Sequence, residues 1–378
     1  MKIGSLFSGY GGLDLAVMNV FDAEVAWHCE WEDAPSKILE ANFPGVPNYR
    51  DVSQVDWASV EPVDILTGGF PCQDVSLAGR RAGMGEGTRS GLWSEFAKAI
   101  EVLKPKWVII ENVRGLLSAK ANSDVEQCAW CMGETGDGEP ALRALGAVLG
   151  DLAELRYDAR WHGVRASDAG APHQRFRVFV IAYPAASEAE RGHQPEEKAR
   201  ARGGQVTLSG QFKNLPTPTV ADTFTDKLKS SQQKEGSMHS VNLSQAVHLL
   251  PTPNTMEHRE NKSPEQIADL KKRSPGGYRN LREEVVNTSE KDWGKFGHVV
   301  KRWETVIGLP APEPTQPDGK DGAHRLSSEF TEWMMGLEPG WVTGHGLSRK
   351  DELKACGNGV VPQQAELALR LLLEVDDV

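Results

Sequence analysis

The sequence predicts an α/β fold, a doubly wound and mostly parallel sheet carrying a smaller irregular domain, on three observations. Short apolar runs alternate with stretches of helical period across the first 183 residues, the pattern of a sheet covered by helices on both faces. After Pro184 the texture changes to Ser, Thr, Pro, Gly, Gln and charge, with weak periodicity to about residue 325. Helical character then returns over Leu326 to Leu337 and Pro362 to Leu373, so two pieces of one body bracket an insert.

The elements follow in order. Lys2 to Phe7 reads as a strand, Gly12 to Val20 as a helix, Glu24 to Cys29 as a strand and Ala34 to Asn42 as a helix. A third strand is expected just ahead of Asp51, then another from Val63 to Thr67. Leu92 to Leu103 is helical, Trp107 to Ile110 extended, and a helix from Pro140 to Leu155 sets Leu142, Leu145, Leu149 and Leu152 on one face. Strands Ala159 to Val164 and Arg177 to Tyr183 close the series, and the final helix turns Leu367, Ala368 and Leu371 inward. Leu-Pro-Thr-Pro occurs at 215–218 and 250–253, read as two extended entries into the insert rather than a repeat architecture. The expected units are a body over 1–184, a small domain over 185–345, and a segment over 346–378 returning to the body.

Composition, 39% hydrophobic and 25% charged over 378 residues, suits a soluble globular chain. No apolar run approaches the roughly 18 residues of a membrane span, and the opening MKIGSLFSGYGG lacks the apolar core and cleavage site of a signal peptide. Five cysteines form no disulfide framework, which points to a reducing cytoplasm. The net charge of −11 is uneven: Lys198 to Arg302 holds 18 Lys and Arg against 11 Asp and Glu, leaving 24 against 42 elsewhere. One basic segment on an acidic body suits a protein that meets nucleic acid through one face; a solvated, loop-rich insert explains the charge equally well.

Chemistry concentrates at predicted strand ends. Phe7-Ser8-Gly9-Tyr10-Gly11-Gly12-Leu13 joins the first strand to the first helix, where glycines admit a ligand close to backbone and helix N–H groups are free. Glu30 can accept both hydroxyls of a ribose, Trp31 can stack on a purine, and Asp51-Val52 can meet an adenine amino group. Together they indicate an adenosine-containing cofactor, with a tight turn and surface acids as the plainer alternative. The incomplete G-x-G-x-x-G spacing disfavours NAD.

Gly68-Gly69-Phe70-Pro71-Cys72-Gln73 places a thiol at the carboxyl end of a buried strand, its direction set by Pro71. Glu111-Asn112-Val113 is expected on the same sheet edge. Alternation sends Arg175 and Arg177 to one face of the last strand, and Gly357-Asn358-Gly359-Val360-Val361-Pro362 precedes the last helix. A thiol, a carboxylic acid and two guanidiniums suit covalent attack on an electron-poor ring: cations favour the thiolate, and the acid can protonate a ring nitrogen. Cys128-x-x-Cys131 could be half a zinc site, with His162 and His173 the nearest histidines, but no second pair follows. It reads rather as an unliganded surface turn, and no metal is expected.

The ordered set Phe-Ser-Gly-x-Gly-Gly, Gly-Phe-Pro-Cys-Gln, Glu-Asn-Val, Gln-x-Arg-x-Arg and Gly-Asn-x-Val-x-Pro resembles the DNA (cytosine-5)-methyltransferases, over residues 1–183 and about 326–378. The insert sits where that family carries its target recognition domain, and the body would be its Rossmann-like methyltransferase sheet. The resemblance implies S-adenosylmethionine bound by Phe7, Ser8, Gly9, Gly11, Gly12, Leu13, Glu30, Trp31, Asp51, Val52, Pro71, Asn358 and Val360. It implies attack by Cys72 on carbon 6 of a flipped-out cytosine, with Glu111 at N3 and Arg175 and Arg177 positioning the base and adjoining phosphate. Ser76 to Ser90 resembles the family's mobile loop, with Arg80, Arg81 and Arg89 as phosphate contacts. The implied partner is double-stranded DNA and the implied setting the cytoplasm of a prokaryote or of a virus-infected prokaryotic host. A monomer, with a cognate restriction endonuclease, would fit. Three other readings stand beside this one: an RNA methyltransferase of the same superfamily, a non-catalytic DNA-binding relative, and a cysteine hydrolase that would need a histidine base near Cys72.

Overall fold

The structure, a computed structural model, describes residues 1–70, 92–117, 133–134, 140–141, 144–185, 249–255, 257–259, 262–273, 280–285, 293–319 and 322–374. Cys72, Pro71, the 76–90 segment, the first Leu-Pro-Thr-Pro copy and the Cys128–Cys131 pair lie outside them.

The body is built from β1 (Lys2–Leu6), α1 (Gly12–Phe21), β2 (Glu24–Cys29), α2 (Asp33–Asn42) and β3 (Ile65–Gly68). It continues through α3 (Leu92–Leu103), β4 (Trp107–Val113), α4 (Ala144–Glu154), β5 (Tyr157–Arg165) and β6 (Phe176–Pro184). The six strands form one sheet in the order β2-β1-β3-β4-β6-β5. The β1–β2, β1–β3 and β3–β4 pairs are parallel, and β6 runs antiparallel between β4 and β5. The expected sheet is therefore present.

Three local expectations change. The strand expected before Asp51 is reduced to a single bridge between His28 and Asn48, because Pro47, which bonds through its carbonyl only, interrupts it. Strand β4 extends through Val113, so Glu111 lies within the strand. The helix expected from Pro140 begins only at Ala144, after a two-residue strand at Pro140–Ala141.

Helices cover both faces. Leu66, Val108, Ile110 and Val180 pack with Phe96 and Ile100 of α3 and Val148 and Leu152 of α4. On the opposite face Ile3, Ile65, Ile109, Phe179 and Ile181 meet Ala16 and Val17 of α1 together with Ala365, Ala368, Leu369 and Leu372. The last four belong to the helix Pro362–Leu373, which covers that face of the sheet. Asp14, in the first turn of α1, accepts from Ser5 Oγ (2.8 Å) and Thr67 Oγ1 (2.7 Å), neighbours in register on β1 and β3. Burial raises its carboxyl to about 6.

The described part of the insert contains α5 (Pro264–Arg273) and α6 (Gly297–Ile307). Then come α7 (Ser328–Met334), α8 (Arg349–Asn358) and the closing α9 (Pro362–Leu373). Val299, Val300 and Trp303 of α6 pack with Phe330, Trp333 and Met334 of α7, and Tyr10, Ile38, Ala166 and Ala171 of the body join the same cluster. Insert and body thus share a core.

Candidate active site

From β1 the chain crosses to β2 on one side and returns to β3 on the other. The crevice at the carboxyl ends of β1 and β3 is therefore the switch point where open α/β sheets accept ligands. A cavity of about 810 Å³ opens there.

Its first wall is the loop after β1. Phe7 and Gly9 line it with φ of 52° and 56°; a Cβ on Gly9 would meet nothing within 4 Å, so bare backbone faces open space. The left-handed conformation of Phe7 costs on the order of 1–3 kcal/mol and marks a loop held for a purpose. Glu30, buried at the end of β2, accepts the Gly9 N–H through Oε2 (2.9 Å) and the Glu32 N–H through Oε1 (2.8 Å). Burial raises its carboxyl above the usual range, and the two backbone donors pull it down. One lone pair per oxygen remains for a ligand. Beside it Trp31 is 66% exposed at the cavity wall, an apolar plane with nothing packed over most of it.

The cavity is also lined by Glu111, Arg177 and Asn358. Glu111 pairs with Phe179 across β4 and β6, and Arg177 with Val113. The two side chains are thus diagonal neighbours on one face, and Arg177 Nε reaches Glu111 Oε1 at 2.7 Å. Burial pushes the Glu111 carboxyl up, while Arg177 and Arg175 pull it down. A Cβ on Gly69 would lie 3.0 Å from Glu111 Oε2, so the chain entering Pro71-Cys72 passes against this carboxyl. Asn112 Nδ2 fixes that approach by donating to the Phe70 carbonyl at 2.9 Å.

Other expected residues do not line the cavity. Ser8 Oγ donates to the Ser5 carbonyl, Gly11 caps α1, and Gly12 packs against the Val360 carbonyl. Leu13 and Val52 are core residues, and Asp51 Oδ1 is taken by the N–H and hydroxyl of Ser53. Arg175 departs from expectation most. Its φ of 33° places it outside β6, so strand alternation does not extend to it. Its guanidinium does not line the cavity and donates instead to the carbonyls of Pro253, Gly357 and Gly359.

Two contributors were missed. Tyr10, at the variable position of the glycine motif, lines the cavity and donates its hydroxyl to the Val360 carbonyl at 2.6 Å. Helix α8 brings Asp351 and Lys354 to the wall, and Lys354 Nζ binds the Glu32 carboxylate at 2.7 and 2.9 Å. The signal for α8 was present: Ser348 followed by Asp351 is a capping pair, and Ser348 Oγ accepts the Asp351 N–H.

The fold is a Rossmann-like sheet with its cavity at the switch point. The structure matches the Dnmt2 methyltransferase of S. pombe with a TM-score of 0.54 at 14% identity over all of both chains. It matches a triple variant of Spodoptera frugiperda DNMT2 with a TM-score of 0.51 at 14% identity, over 98% of this chain and 99% of that one. Those likenesses speak to fold alone.

The family model described as C-5 cytosine-specific DNA methylase matches residues 1–372, and the chain belongs to that family. It is 29% identical over 191 residues to the type II methyltransferase M.NlaIV of Neisseria lactamica, 48% of this chain and 40% of that one. It is 30% identical over 183 residues to M.HhaI of Haemophilus parahaemolyticus, 48% of this chain and 49% of that one. In each case the match spans less than half of the relative's length.

Proposed function

We propose that this chain transfers a methyl group from S-adenosylmethionine to carbon 5 of a cytosine in duplex DNA. One observation carries the reading. A buried carboxyl raised by burial and gripped by Arg177 shares a cavity with Glu30 and Trp31, and the chain leading to Cys72 passes against it.

The residues present fit the cofactor. Glu30 offers two fixed acceptor oxygens to a ribose diol, Trp31 offers a stacking plane to an adenine, and Gly9 and Asn358 border the remaining space. Bound there, S-adenosylmethionine supplies an electrophilic methyl group on a sulfonium. The other steps belong to the chain. Cys72 adds its thiolate to carbon 6 of the ring. Glu111, as the acid, donates to N3 and draws electron density from the ring, which activates carbon 5 to accept the methyl group. Loss of the carbon 5 proton then expels the Cys72 thiolate and restores the ring. Arg177 orients that carboxyl. A stacked cytosine cannot reach these groups, so the base leaves the duplex.

Duplex DNA as substrate is supported by the family and by the bacterial type II names of the relatives. The same names support a prokaryotic cytoplasmic setting beside a restriction endonuclease, and a monomer is the assembly proposed. Among the described residues no helix is long and apolar enough to cross a membrane. Bisulfite sequencing of DNA from cells expressing the chain locates the target. A duplex with 5-fluorocytosine at that position should then join covalently to the wild-type chain and not to Cys72→Ser. Label from tritiated cofactor appearing on RNA alone would refute the reading.

A further inference from the structure

We infer that Arg175 is a positioning residue that couples the Asn358 side of the cavity to the insert and does not touch substrate. The inference rests on the methyltransferase reading above. Arg175 is 3% exposed, and both of its backbone polar groups and both terminal nitrogens of its guanidinium are engaged inside the protein. Its N–H donates to Thr252 Oγ1 (3.1 Å), and its carbonyl accepts from Gln364 Nε2 (2.7 Å). Its guanidinium donates to the carbonyls of Pro253 (3.3 Å), Gly357 (3.0 Å) and Gly359. A planar fork can bind several carbonyls at once, whereas a lysine ammonium is a single point.

These contacts join segments that matter separately. Asn358, a cavity residue, sits between the two carbonyls held on the α8–α9 turn, and Tyr10 holds the next one, Val360. Thr252 and Pro253 belong to the second Leu-Pro-Thr-Pro copy, whose Leu250 is buried and bonded to the Pro172 carbonyl. Two residues along the chain, Arg177 holds Glu111. A displacement of the insert entry on meeting DNA therefore reaches the Asn358 turn through one side chain, and the converse follows by linkage.

The test uses the full chain and a duplex carrying the target mapped by bisulfite sequencing. Its affinity is measured with and without S-adenosylhomocysteine, alongside steady-state methylation. In the wild type the analogue should tighten the duplex by at least about fivefold. In Arg175→Lys that factor should fall toward one while both KM values rise and kcat stays within about threefold. Thr252→Val, which keeps the guanidinium and so guards against misfolding of the first variant, should lose part of the factor. A coupling factor preserved in both variants, or a collapse of kcat with KM unchanged in Arg175→Lys, overturns the inference. So does a wild type that methylates without coupling. A wild type that neither binds the analogue nor methylates DNA overturns the functional reading itself, and the inference with it.

Discussion

In the proposed reaction Glu111 is the acid and Trp31 the stacking plane, and single substitutions separate the two roles. Removing the acid while keeping the shape, Glu111→Gln, should lower kcat by at least about 100-fold and leave S-adenosylhomocysteine affinity within about twofold. Burial raises this carboxyl, so its protonated form persists to higher pH than in an ordinary glutamate. Turnover that uses that proton falls as pH rises through the raised pKa, and a pH–rate profile should show a limb that the Gln variant lacks. Trp31→Ala should instead weaken the analogue by roughly 5- to 100-fold, the range of one base stacked on an aromatic ring. Calorimetric titration reads it, and kcat at saturating cofactor should hold. At this scale the sheet edge that carries Glu111 was legible from the apolar run before it, although the strand continues past Glu111 to Val113. The partners of Arg175 were not: they lie 77 to 189 residues away along the chain, and a positive φ breaks the alternation used to place it. Tyr10 was passed over because its motif position is variable, although its hydroxyl and carbonyl both tie the cavity to later segments.

Elements were legible where apolar spacing and punctuation agree. Strand β2, helix α3 and helix α9 fall on the expected residues, and Pro362 at the start of α9 supplies a fixed φ where no donor is needed. Helix α6 was missed although Val299, Val300, Trp303 and Ile307 carry a helical stripe, because the surrounding sequence is polar and glycine-rich. The inward face of α9 was placed only in part. Ala368 is buried as expected, but the other buried leucines are Leu369 and Leu372, while Leu367 and Leu371 pack only at the margin. The difference is measurable by chemical denaturation. Leu369→Ala should cost about 2–5 kcal/mol, as for a large side chain removed from a closed core, and Leu371→Ala less than half of that. Equal losses would return the face to where periodicity alone put it.

At the scale of the whole molecule, the separation of body from insert suggested by texture does not extend to the core. Tyr10, Ile38, Ala166 and Ala171 of the body pack in one cluster with Phe330 and Trp303. Trp341 Nε1 donates to the Tyr10 carbonyl, and Asn42 Nδ2 to the Trp341 carbonyl. A change in composition marks where a chain leaves a sheet, but not what it packs against afterwards. Phe330 tests the consequence, since it is fully buried and stacked between Trp293 and Trp333, away from the cavity. Phe330→Ala should cost about 3–5 kcal/mol. If body and insert unfold as one cooperative unit, that loss appears at a single midpoint whether heating is followed by proteolysis within 281–307 or by loss of S-adenosylhomocysteine binding. Two midpoints, with cofactor binding surviving the first, would show instead that the insert melts as an independent domain. The shared cluster would then contribute packing without cooperativity, and coupling through residue 175 would have to work across a boundary that opens first.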